Sequence, residues 1–167
     1  MSTPTDSCPT KIHIPAATQP NLPVYVLKHC EHPDYPYLTY ACDTHECLMA
    51  SKTRDQATQA ALDNKWPVIA HSERAASRRA MYLVGLYMRH ASGRLVCTPK
   101  DIGGRDGSSH TQELATLCRM RLVRRRHRFC DIARDGSWTY ALTSAGDAAS
   151  ICLIDRSNRA WVKEEKE

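Results

Sequence analysis

The stretch from Ser109 to Gly146 constrains this chain most. Leu114, Leu117, Cys118 and Leu122 fall at i, i+3, i+4 and i+8, the apolar stripe of one helix. A basic strand follows, Val123-Arg124-Arg125-Arg126-His127-Arg128-Phe129-Cys130, and Asp135-Gly136 is a hairpin turn signal. The return strand places Trp138, Tyr140 and Leu142 on one face. Ser144, three residues before Asp147, then reads as the N-cap of a new helix.

That order is the layout of a winged helix-turn-helix, in which a helix fits the major groove and a basic hairpin reaches the flanking backbone. Residues 113–125, with Leu114, Leu117 and then Leu122-Val123-Arg124-Arg125, resemble the end of the recognition helix in MarR-type winged-helix proteins. Leu142-Thr143-Ser144-Ala145-Gly146 is similar to the L-T-x-x-G that closes their wing. The resemblance spans about residues 72–154, with Arg121 where the family carries Gly and with Gly103, Gly104 and Gly107 interrupting the preceding helix. It implies a winged-helix fold. Fold alone leaves two readings open, DNA binding and protein–protein contact.

Upstream, five prolines from Pro4 to Pro23 mark residues 1–23 as an extended tail. Val24–Leu27, Tyr37–Cys42 and Cys47–Ala50 are strand candidates. Thr53-Arg54-Asp55-Gln56 is a capping box for a helix ending at Trp66, before Pro67. Residues 24–70 therefore form a β-β-β-α unit. Ser72 caps the next helix, whose stripe is Ala76, Ala80, Leu83, Val84, Tyr87, Met88 and Ala91, with Arg74, Arg78 and Arg79 away from it. Gly85 inside it suggests close packing, and Gly93 ends it. Arg94–Cys97 reads as a strand, and Thr98-Pro99-Lys100-Asp101 opens another helix with Thr98 as N-cap. The last helix is expected over Ser144–Ile154, with a charged tail over 156–167. The fold class is α+β, a ribbon-like unit at 24–70 followed by a winged helix at 71–155.

Cys30, His32, Cys42, His45 and Cys47 lie within eighteen residues. Ligand pair, strand, ligand pair, helix is how zinc ribbons are built. The segment resembles a reduced form of the Lar-type ribbons of phage restriction-alleviation proteins, whose helix also ends near Trp and Asn. That resemblance implies zinc held by Cys30, His32, Cys42 and Cys47, with His45 able to complete the set instead. The alternative is a ribbon-like fold without metal.

Charge divides the chain. Residues 1–70 hold 5 Lys+Arg and 7 Asp+Glu, a net of −2, and residues 71–167 hold 18 and 11, a net of +7. Six Arg between Arg119 and Arg128 favour a polyanion or an acidic protein surface. On the central helix, Thr111, Gln112, Ala115, Thr116 and Arg119 face away from the stripe. Gln112 suits adenine and Arg119 guanine. Arg124, Arg126 and Arg128 alternate onto one strand face and suit phosphates. No Walker loop, GxGxxG, HExxH or GxSxG is present, and His71, His90, His110 and His127 are dispersed, so no enzyme is expected. No apolar run reaches bilayer length and residues 1–9 lack a signal-peptide pattern, so a cytoplasmic protein with free thiols is expected.

The leading expectation is a phage or bacterial transcriptional regulator that binds double-stranded DNA. The alternative is a phage-encoded interaction protein, anti-CRISPR-like, that docks on a host protein or ribonucleoprotein. A homodimer remains open, although long helices flanking the winged helix are not evident.

Overall fold

The computed structural model describes residues 19–29, 33–103, 108–126 and 138–164, with the side chains of 108–110, 126 and 159–164 outside that description. Strands β1 (Val24–Lys28), β2 (Tyr37–Ala41) and β3 (Cys47–Ser51) precede helix α1 (Arg54–Asp63), and β4 (Val68–Ala70) precedes α2 (Glu73–Ala91). A short 3-10 turn (Lys100–Ile102), α3 (Ser108–Arg119), β5 (Val123–Arg126), β6 (Thr139–Leu142) and α4 (Ser144–Glu164) follow. The class is mixed α+β.

The four-stranded sheet has the order β3-β2-β1-β4, with β1/β2 and β2/β3 antiparallel and β1/β4 parallel. The expected β-β-β-α unit thus gains a parallel strand. Its three residues after Pro67 are too few to show periodicity, and α1 supplies the crossover that a parallel pairing needs. Alternation sorts the sheet's two faces. Val24, Ala41 and Leu48 pack with Ala61 and Trp66, while Tyr25, Cys42 and Ile69 join the larger cluster with Leu83, Leu86, Leu114, Leu117, Tyr140 and Leu142.

The caps follow the sequence in α1 and α2. Thr53 accepts from the Gln56 N–H at 3.2 Å and Ser72 from the Ala75 N–H at 3.3 Å. Gly93 takes a left-handed φ of 88°, and its N–H and that of Arg94 close on the carbonyls of His90 and Arg89, a Schellman end. Helix α1 stops at Asp63 rather than Trp66. Lys65 adopts φ 58°, and the N–H groups of Lys65 and Trp66 bond back to Leu62 and Ala61. Trp66 then folds into the core at 2% exposure.

Several expectations change. In α2 the buried residues are Ala76, Tyr82, Leu83 and Leu86, whereas Met88 and Ala91 are exposed. The helix is covered on more than one side, by the sheet, α3 and α4, so a single stripe cannot describe it. Arg94–Cys97 makes only a bridge from Cys97 to Tyr140, and Leu95 is exposed. The helix expected at Thr98 is the 3-10 turn. Thr98 does not cap it: no side-chain cap bond forms, and the Asp101 carboxylate instead accepts from the Thr98 N–H at 2.8 Å and from its hydroxyl at 2.9 Å. Helix α4 runs ten residues beyond Ile154, as 155–164 contain no Pro or Gly to stop it. A long helix does therefore follow the β5–β6 pair. Gly85 packs against Ile102, whose Cβ lies 3.3 Å from where a Cβ on Gly85 would stand. No helix among the described residues is long and apolar enough to cross a membrane.

Candidate nucleic-acid interface

Helix α3 is held by its apolar side. Leu114 and Leu117 are fully buried, Cys118 is half-buried, and Leu122 continues the stripe. The helix ends on another Schellman motif. Arg121 takes φ 59°, and the N–H groups of Arg121 and Leu122 bond to the carbonyls of Cys118 and Leu117 at 3.0 and 3.1 Å. This turn directs the chain straight into β5.

The start of α4 locks that turn. Thr143 donates its N–H to the Leu122 carbonyl at 3.1 Å and its hydroxyl to the Arg121 carbonyl at 2.6 Å. The same hydroxyl accepts from the Gly146 N–H at 3.1 Å. The N-cap of α4 is thus Thr143, one residue before the expected Ser144. Gly146 must lack a side chain, because a Cβ there would stand 2.0 Å from the Leu122 carbonyl oxygen. Threonine and glycine three residues apart are the local chemistry of this junction.

On the opposite side of α3, Thr111, Gln112, Ala115 and Arg119 are exposed and Thr116 is half-exposed. Thr116 donates to the Gln112 carbonyl at 3.0 Å and accepts from the Arg119 guanidinium at 2.8 Å, which orients Arg119 along the helix. Gln112, Ala115, Thr116 and Arg119 line a shallow cavity of about 370 Å³ with Glu113 and Arg79. Arg79 was expected on the solvated side of its helix. It is instead only 15% exposed, donating to Glu113 at 2.5 Å and to the Ile69 carbonyl. It ties α2, β4 and α3 together. Periodicity could not reveal this pairing, since its partner lies 34 residues away.

In the two-stranded pair, Arg125 stands opposite Tyr140 and stacks on Trp138 with 4.0 Å to the ring centroid. Arg124, opposite Ala141, lies on the other face and is exposed. The backbone of Arg126 belongs to β5; its side chain, Arg128 and the Asp135-Gly136 turn lie outside the described residues. All four residues of β6 are buried, so the alternation expected there does not separate core from solvent.

Of the metal-ligand candidates, Cys30 and His32 lie outside the described residues. Cys42 is buried, and burial, with Asp43 beside it, pushes its thiol well up. Cys47 is half-buried, its thiol bonding to the Met49 carbonyl at 3.8 Å. The Nδ1 of His45 is taken by the Tyr25 hydroxyl at 2.8 Å. Burial, with Glu73 nearby, raises that hydroxyl to about 12, so it stays protonated. Among the described residues no three His, Cys, Asp or Glu side chains come together as a metal-holding group.

No protein-family model, curated protein or solved structure matches this chain.

Proposed function

We propose that the segment from α2 into α4 is a winged helix, that α3 is its recognition helix with β5 and β6 as the wing, and that the protein regulates phage or bacterial transcription by binding double-stranded DNA. It is a binding module rather than an enzyme. The observation that carries this reading is the orientation of α3. One side is buried at Leu114 and Leu117, and the other presents Gln112, Thr116 and Arg119 beside the exposed Arg124 of β5. A helix so presented fits the major groove, where Gln pairs with adenine and Arg with guanine, while a strand arginine meets phosphate. The Arg79–Glu113 pair offsets the carboxylate that lines the α3 cavity.

Selection from a random duplex library at physiological salt tests the proposal. A recurring motif is the expected outcome. Gln112→Ala and Arg119→Ala should relax it, at about 1–3 kcal/mol per lost bidentate contact. Arg124→Ala should weaken all duplexes alike and lower the salt slope by about 0.9. A library that yields no motif overturns DNA regulation in favour of a protein or ribonucleoprotein partner for the same basic face. Zinc is a separate part of the proposal. Cys42 follows β2 and Cys47 opens β3, and with Cys30 and His32 they would hold about one ion per chain at ribbon stoichiometry. Elemental analysis of protein purified without chelator should find it, and a metal-free, fully folded protein rules it out.

A further inference from the structure

The N-terminal 70 residues carry a net charge of −2, yet most of their described cations lie at one end of the sheet. Asp43 and Glu46 sit in the β2–β3 turn, where Arg156 of α4 pairs with both, at 2.7 and 3.6 Å. Asp63 ends α1. Apart from Lys65, which follows the end of α1, the cations gather at the other end of the sheet. Lys28 ends β1 and pairs in register with Tyr37, which pairs with Ser51 at the end of β3. Lys52 and Arg54 follow β3 directly, and β4, parallel to β1, delivers His71 and then Arg74 and Arg78 in the first turns of α2. Lys28, Lys52, Arg54, His71 and Arg74 are exposed.

The acids at this end are Asp34, Asp55 and Glu73. Asp55 and Glu73 occupy the first turns of α1 and α2, where their charge is set against the helix dipoles. Among the described residues no carboxylate pairs with Lys28, Lys52, Arg54, Arg74 or Arg78. The edge also runs on into the α3 face. Arg79 bonds to the Ile69 carbonyl, two residues before His71, and to Glu113 in the wall of the α3 cavity.

We propose that this sheet edge is the second half of the duplex-binding surface, with Lys52, Arg54 and Arg74 meeting phosphates of the same DNA that lies on α3. The inference rests on the DNA reading above. Contacts of this kind add affinity and salt dependence but no sequence information. The protein would grip one duplex with a reading half and a non-reading half, joined at Arg79.

The test is fluorescence anisotropy with a duplex carrying the selected motif and mixed-sequence flanks, titrated at several salt concentrations. The variants are Arg54→Ala/Arg74→Ala, Lys52→Ala as an independent change at the same edge, and Arg119→Ala/Arg124→Ala on the α3 side. Circular dichroism melts check that each is folded. The expected result is a salt slope lower by about 0.9 for each edge cation removed, with the preference for motif over scrambled DNA unchanged. Wild-type affinity and slope in both edge variants, alongside loss in Arg119→Ala/Arg124→Ala, would overturn the inference and leave the α3 reading standing. No duplex binding by the wild-type protein overturns both.

Discussion

Arg121 holds a left-handed backbone at φ 59° with an ordinary side chain. That conformation costs an L-residue about 1–2 kcal/mol, and glycine escapes the cost while losing more freedom on folding. Arg121→Gly should therefore raise the urea midpoint, with a net gain on the order of 1 kcal/mol, while weakening any polyanion contact made by this basic segment. Gly146→Ala should do the reverse. The clash is with the backbone carbonyl of Leu122, between α3 and β5, rather than with a movable side chain, so the loss should reach or pass the upper end of the roughly 1–3 kcal/mol seen for overpacking. A thermal melt of this variant within a degree of wild type would mean that the α4 start sits further from Leu122 than described. Gly146 is legible in the sequence as part of a motif, and Arg121 as the place where the chain departs from one. The reason for Gly146 is not legible, since the nearness of the Leu122 carbonyl is a property of two segments meeting.

At the scale of elements, legibility followed the range of the interaction. The caps at Thr53 and Ser72 and the end at Gly93 involve neighbours a few residues apart, and local chemistry located them. The buried stripe of α3 was legible for the same reason, since that helix is covered on one side. In α2 the stripe was half right, because Tyr82 and Leu86 are buried by partners that the helix pattern does not announce. Leu83 and Leu117 are fully buried, and replacing either with Ala should cost about 2–5 kcal/mol in a denaturation experiment. β4 and the Arg79 pairing escaped notice because they exist only through contacts distant in sequence.

The turn after α2 makes a pH prediction. Burial pushes the Asp101 carboxyl up, but hydrogen bonds from the Thr98 N–H and hydroxyl, with Arg94 at 3.0 Å, outweigh it and hold the group below its usual value. Its stabilising effect is thus present above the unfolded value of about 4 and is lost as pH falls through the lower folded value. Asp101→Asn should lower stability at neutral pH and flatten the acid limb of a stability–pH curve. An unchanged acid limb would show that the Thr98–Asp101 bonds do not form.

At the scale of the whole molecule, the sheet and the last helix are joined by ions as well as by apolar contact. Asp43 is 7% exposed at its side chain and Arg156 20%. Arg156→Ala leaves that carboxylate without its cation, at a cost of about 1.5–3 kcal/mol for a hydrogen bond to a charged group. Hydrogen exchange should quicken first in the β2–β3 turn, and Asp43→Asn in the same chain should recover part of the loss. Equal protection in both backgrounds would show that the pair is screened and idle.

The separation of 113 positions between Asp43 and Arg156 also sets a timetable. A growing chain emerges from its N-terminal side, so the sheet leaves the ribosome with its turn acids unanswered and with Tyr25, Cys42 and Ile69 still awaiting α2. The last clasp closes only when α4 arrives. Until then the acids of that turn have no cation from α4 to meet.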